Sequence, residues 1–158
     1  MQDYKTFHWT RLMRLLTKLD MVKNKIYAVI DTNVIVSALL SKNSHSSTTM
    51  IYEAILDGLL IPVYNDEILK EYLDVLSRKK FPFAKEDIQY IELLLTHVGI
   101  KMDRTKANEE IFPDQNDVVF YEVALSKEDA YLVTGNIKHF PQKPFVVTPA
   151  EMAEILGL

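Results

Sequence analysis

Between residues 26 and 156, short apolar runs alternate with longer stretches of helical periodicity, and this alternation limits the folds open to the chain. The runs fall at 26–30, 59–64, 99–102, 130–134 and 145–147. Each is too short for a helix and nearly continuous in apolar residues, as strands covered on both faces are. Between and after them lie helical patterns at 34–41, 46–57, 66–79, 84–97, 115–128 and 149–156. Strands alternating with helices predict an α/β fold: a three-layer α/β/α sandwich around a central, mostly parallel five-stranded sheet with right-handed crossovers. Pro62 interrupts the second run and predicts an edge or early position for it, because proline donates no ladder hydrogen bond.

A length of 158 residues suits one domain with a single core. Residues 25–158 carry the alternating pattern, and 1–24 read as a basic amphipathic extension. There Trp9, Leu12, Met13, Leu16 and Leu19 recur at roughly helical spacing. Residues 1–25 hold six basic and two acidic side chains, so a formal net charge of −4 for the whole chain divides into +4 there and −8 beyond. An acidic body is a poor general binder of phosphate backbones, so any nucleic acid must be met by a local basic rim or through a cation. The absence of cysteine removes disulfides, thiolate metal sites and cysteine nucleophiles together. No apolar stretch approaches the roughly 18 residues that suggest a membrane span. The first 25 residues lack the apolar core of a secretory signal, which makes a cytoplasmic location the expectation.

Ligands of open parallel sheets bind beyond the carboxyl ends of the strands, so the residues that follow each strand carry the interest. Asp31, Thr32 and Asn33 follow the first, and Thr134, Gly135 and Asn136 the fourth. The segment "FPDQND" brings Asp114, Asn116 and Asp117 to the head of a helix. On helix 66–79, at 100° per residue, Glu71 falls about 60° outside the apolar arc of Ile68, Leu69, Tyr72 and Leu76. Glu67 and Asp74 fall about 100–120° outside it, so Glu71 is the acid nearest the buried face. A carboxylate at the end of a buried strand is more often functional than a helix cap. The others each have an ordinary alternative. Asp114 reads as an N-cap with Asp117 completing a capping box, Glu71 as a solvated helix residue, Thr32 and Thr134 as backbone partners, and Asn136 as a turn residue. The joint order is what points to chemistry. Gathered carboxylates with an amide oxygen suit Mg²⁺ or Mn²⁺, and without a cation they would raise one another's pKa.

The pieces "VIDTNVIVSALL", "YNDEILKEYLDVLSR", "PDQNDVVFYEVALSKEDAYLVTGNIKHF" and "FVVTPAEMAEIL", in that order, resemble the PIN domain family. Within it the chain looks closest to the VapC-like toxin components of prokaryotic toxin–antitoxin pairs. The resemblance implies a metal-dependent endoribonuclease that cleaves single-stranded RNA to a 5′-phosphate and a 3′-hydroxyl, with Mg²⁺ or Mn²⁺ as cofactor. By the same resemblance Asp31, Glu71 and Asp117 are the catalytic and metal-binding acids, and Asp114 assists the metal through water. Asn136 takes the fourth catalytic position, where many members have Asp, so the site carries one charge fewer. Thr32, Asn33 and Thr134 orient ligands or water. Arg78, Lys79, Lys80, Lys138 and His139 are candidates for an RNA-binding rim. The family also implies a homodimer or higher oligomer and a neutralising antitoxin protein. Two other readings stay open: a non-catalytic PIN module that binds RNA or a protein partner, and a structure-selective DNA nuclease. The second usually needs additional acids and helical DNA-binding modules for which this chain has no room.

Overall fold

The five apolar runs pair into one sheet of strand order β3-β2-β1-β4-β5, every pairing parallel. The computed structural model describes residues 9–13 and 25–158. The strands are β1 (Ile26–Ile30), β2 (Leu60–Tyr64), β3 (Ile100–Lys101), β4 (Tyr131–Val133) and β5 (Val146–Val147). The helices are α1 (Thr32–Leu40), α2 (Ser47–Leu56), α3 (Asp66–Leu76), α4 (Lys85–Val98), α5 (Val118–Leu125) and α6 (Pro149–Leu156). This is the expected α/β sandwich, with β1 at its centre. Hydrophobic burial explains why: Ala28, Val29 and Ile30 are almost wholly excluded from water, as a strand covered on both faces must be.

α1 packs on α2 and α2 on α6, while α5 lies across β1, β2 and β4 and meets α3. α5 is the innermost helix. Its sequence, VVFYEVAL, is apolar nearly all round, and Val119 to Ala124 are all buried. One charge is therefore buried with it. Glu122 is held by the Arg104 guanidinium, with Nε at 3.0 Å, and by the Ala107 N–H at 2.8 Å. Arg104 also reaches Glu67 on α3 at 2.8 Å. Burial alone would push the Glu122 carboxyl up, but these donors hold it below its usual range.

Several boundaries differ from the sequence reading. β3 is two residues long, and β2 lies one strand in from the edge. Its pairing with β3 begins at Val63, just past Pro62, so the proline meets a neighbour on the β1 side alone, opposite Ala28. At Gly99 a side chain has no room: a Cβ would stand 2.4 Å from the Leu95 carbonyl and 2.9 Å from that of Pro62. The pattern at 115–128 resolves into a 3-10 turn, Gln115–Asp117, followed by α5. Of the N-terminal extension, the described residues 9–13 are helical and packed against the domain. Leu12 belongs to the main core, Arg11 pairs with Glu53 and with Asp57 on the C-terminal end of α2, and Trp9 sets its ring edge-on to Tyr90 of α4. Leu16 and Leu19 lie outside the described residues.

Candidate active site

The carboxyl ends of β1 and β4 lie side by side, and this adjacency builds the site. The Asp31 N–H donates to the Val133 carbonyl at 2.9 Å, so the sheet ladder runs to the very residue at which the strand becomes a helix. Asp31 occupies the N-cap position of α1, yet its side chain makes no capping bond. The carboxylate, 7% exposed, accepts instead from the Thr134 hydroxyl at 2.7 Å, across 103 residues of sequence. Thr134 in turn accepts from the Asn136 N–H at 3.0 Å. Below the acid, the buried Tyr72 hydroxyl donates to the Ile30 carbonyl and ties the end of β1 to α3.

Glu71 faces the same place. It is half-buried, whereas Glu67 and Asp74 on the same helix are exposed, as the helical phase predicted. The Thr32 hydroxyl donates to Glu71 Oε1 at 2.6 Å, so α1 and α3 are joined through the site. Asp117 closes the group from the third side, with Oδ2 3.2 Å from His139 Nδ1. Asp114 caps the 3-10 turn by accepting from the Asn116 N–H at 2.9 Å. Asp117 does not complete a capping box with it, because its carboxylate is turned to His139.

The carboxyls disturb one another. Burial pushes Asp31 up to about 6; the Thr134 hydroxyl pulls it down, while the charges of Asp117 and Glu71 push it further up. Burial also raises Glu71, with Asp117 and Asp114 adding to the rise and the Thr32 hydroxyl and Arg78 opposing it. Asp117 is raised by burial and by Asp114, against the pull of His139. Three acids that each hold their protons too tightly share one open cleft of about 1150 Å³, lined also by Asn33 and Asp114. Asn33 adds a further donor atom: its buried Oδ1 has no hydrogen-bond partner among the described residues and lies beside Gly135.

Hard oxygen donors with mutually raised pKa values are the chemistry of a Mg²⁺ or Mn²⁺ site, and the orphaned amide oxygen of Asn33 extends the set. The residues present therefore fit such an ion in kind. Among the described residues, no three acids or histidines stand close enough together to make a ready-formed cage.

The structure does not bring every candidate together. Asn136 is exposed, and its side chain is not part of the cleft lining. Of the basic candidates, Arg78 and Lys80 line the cleft, Lys79 does not, and Lys138 lies by a separate hollow near β5. His139, a rim candidate by sequence, contacts Asp117 directly. Lys70 and Phe81 line the cleft and were not among the candidates. A signal for Lys70 existed, since it follows Glu67 by three residues on the stripe that continues through Asp74 and Arg78. Phe81 lies beyond the helix, where periodicity says nothing.

A family profile described as PIN domain matches residues 27–138. The chain belongs to the PIN domain family. The match opens within β1, contains Asp31, Glu71, Asp117 and Asn136, and ends in the 3-10 turn Ile137–His139, so β5 and α6 lie past it. PIN domains are typically nucleases and generally use divalent metal ions. Searches of curated proteins and of solved structures return no match. Among the described residues, no helix is long and apolar enough to cross a membrane.

Proposed function

We propose that this PIN domain is a divalent-metal-dependent endoribonuclease that cleaves single-stranded RNA, and that it serves as the toxin of a type II toxin–antitoxin pair. The observation that carries the catalytic part is the convergence of Asp31, Glu71 and Asp117 on one open cleft, all three with raised pKa values. Those three residues would hold Mg²⁺ or Mn²⁺, with Asp114 assisting through water. Such an ion, when bound, lowers the pKa of a water and neutralises charge developing on phosphorus and the leaving oxygen. The chain's own groups do the positioning. Thr134 fixes the orientation of Asp31, Thr32 fixes that of Glu71, and the buried Asn33 Oδ1 keeps an unused acceptor at the seam between them. Hydrolysis in this arrangement leaves a 5′-phosphate and a 3′-hydroxyl.

The test is cleavage of single-stranded RNA with Mn²⁺, with EDTA, and by Asp31→Asn. Loss of activity in both of the last two is expected; activity that survives both removes the reading. A branched DNA substrate run alongside separates RNA from DNA cleavage. The toxin role rests on the VapC-like resemblance and predicts growth arrest when the chain is induced in a bacterial host, relieved by Asp31→Asn. The same resemblance supports a homodimer, which light scattering measures.

A second reading, a non-catalytic module that binds RNA or a protein, is favoured by the exposed Asn136 outside the cleft and by the absence of a ready-formed acid cage among the described residues. Calorimetric Mn²⁺ titration separates the two. Equal affinity in the native chain and in Asp117→Ala supports the non-catalytic module.

A further inference from the structure

The cleft does not end at the carboxylates. From Asp31 it runs between α1 and α3, past Val36 and Leu40 on one wall and Val75 on the other, to Phe81. From Glu71, on α3, to Arg78, two residues past its end, is seven residues, about 10 Å at 1.5 Å per residue. That length takes no more than about three stacked nucleotides at ~3.4 Å each. The acidic end has a counterpart in the proposed chemistry, but this apolar arm has none.

Phe81 is built as a platform. Phe83 packs against the core, and Phe81, which lies outside that core, stacks on it with centroids 5.6 Å apart and planes at 28°. The Lys80 ammonium lies over the Phe81 ring, 5.1 Å from its centroid, in a cation–π contact that a base on that face would displace. Lys70, Arg78 and Lys80 all line this arm, and none of them forms an ion pair among the described residues, although the cleft is rich in acids. A braced ring with cations around it is what proteins that bind single strands use, the ring for the face of a base and the cations for its phosphates.

We propose that Phe81 carries a nucleobase subsite, so that the cleft takes a single strand with one base laid on the Phe81 ring and its flanking phosphates met by Arg78 and Lys80. The proposal rests on the nuclease reading only for the identity of the strand. An apolar arm alone would serve a partner helix equally well; three cations that form no ion pair among the described residues favour a polyanion. A duplex is excluded as the ligand, because its bases are already stacked on both faces. The ring then sets the register of the strand against the carboxylates, while stacking itself tolerates any base.

The experiment is fluorescence anisotropy of labelled oligouridylate in EDTA, which reads binding without turnover. Phe81→Ala is expected to weaken binding roughly 5- to 100-fold, the range of a lost base–aromatic stack. Phe81→Leu, which keeps an apolar cover on Phe83, should lose comparably, and Phe81→Trp should retain affinity. An oligonucleotide made abasic at the contacted position should bind the native chain and Phe81→Ala equally weakly. Unchanged affinity in Phe81→Ala overturns the subsite and leaves the arm to a protein partner. Equal losses on intact and abasic strands overturn it as well. Binding that depends on Phe81 without any cleavage refutes the nuclease reading alone; cleavage and binding indifferent to Phe81 refute the subsite alone.

Discussion

Asp31→Asn should make this protein more stable while removing its activity. The Asp31 carboxyl sits at about 6 in the folded chain against an ordinary 3.8. At 1.36 kcal/mol per pH unit, that difference amounts to about 3 kcal/mol. Between pH 3.8 and about 6 the folded carboxyl keeps a proton that the unfolded chain has released. Stability therefore falls as pH rises through that window, and the whole deficit is present above it. Asparagine removes the charge but still offers an oxygen to the Thr134 hydroxyl. For a chain of this size about 3 kcal/mol corresponds to a Tm rise on the order of 6–12 °C at pH 8, an upper figure because a buried amide also loses hydration. Glu71 and Asp117, raised partly by neighbouring carboxylates, add to the same trend. The assay is a set of urea and thermal melts from pH 4 to 8 on both proteins. The substituted chain should gain at high pH and show a flatter profile below 6. Mn²⁺ should reverse the ranking by mass action, adding about 4.1 kcal/mol to the native protein at a thousand times Kd and little to Asp31→Asn. A substituted chain no more stable than the native one at pH 8, with the same pH slope, would refute the electrostatic account of the site.

Three further outcomes follow from the same geometry. Thr134→Val removes the 2.7 Å bond that orients Asp31, and should cut Mn²⁺ affinity or cleavage about 10- to 100-fold while pushing the Asp31 carboxyl higher; unaltered titration and rate would show that Thr134 does not position it. Arg104→Ala leaves Glu122 buried without its cation and should cost about 2–3 kcal/mol in urea melts, below the figure for a fully buried pair because Arg104 is one-third exposed. Glu122 titrates below its usual range, so the pair's contribution is present at neutral pH and should fade as acid protonates that carboxyl; a loss below about 0.5 kcal/mol at pH 7 contradicts this. Tyr72→Phe orphans the Ile30 carbonyl and should cost about 1–3 kcal/mol, with a neutral result in the same melts showing that the end of β1 is held by packing alone.

Much of the architecture was legible because burial writes itself into local pattern. β1 reads as a strand because both its faces are covered, and Glu71 was singled out from Glu67 and Asp74 because the phase of a helix is fixed at 100° per residue. Legibility failed where a residue's neighbour is distant in the chain. Nothing local marks Thr134 as the partner of Asp31, or Phe81 as a wall of the same cleft. Helix signals also misled: Asp114 caps its turn as its sequence suggested, but Asp117 answers to His139, 22 residues on.

The alternation of strands and helices, the end of β1 at a carboxylate, and the acid of α3 that turns inward can all be read along the chain, because each follows from its own periodicity. Packing of the whole chain puts β4 beside β1, and so brings the Thr134 hydroxyl to Asp31 and the His139 turn to Asp117. It also left Asn136 in solvent and ran the cleft out to Phe81. The reason is physical: periodicity fixes which face of an element is buried, whereas the neighbour met on that face depends on how the sheet is ordered, and the order is a property of the whole packed core.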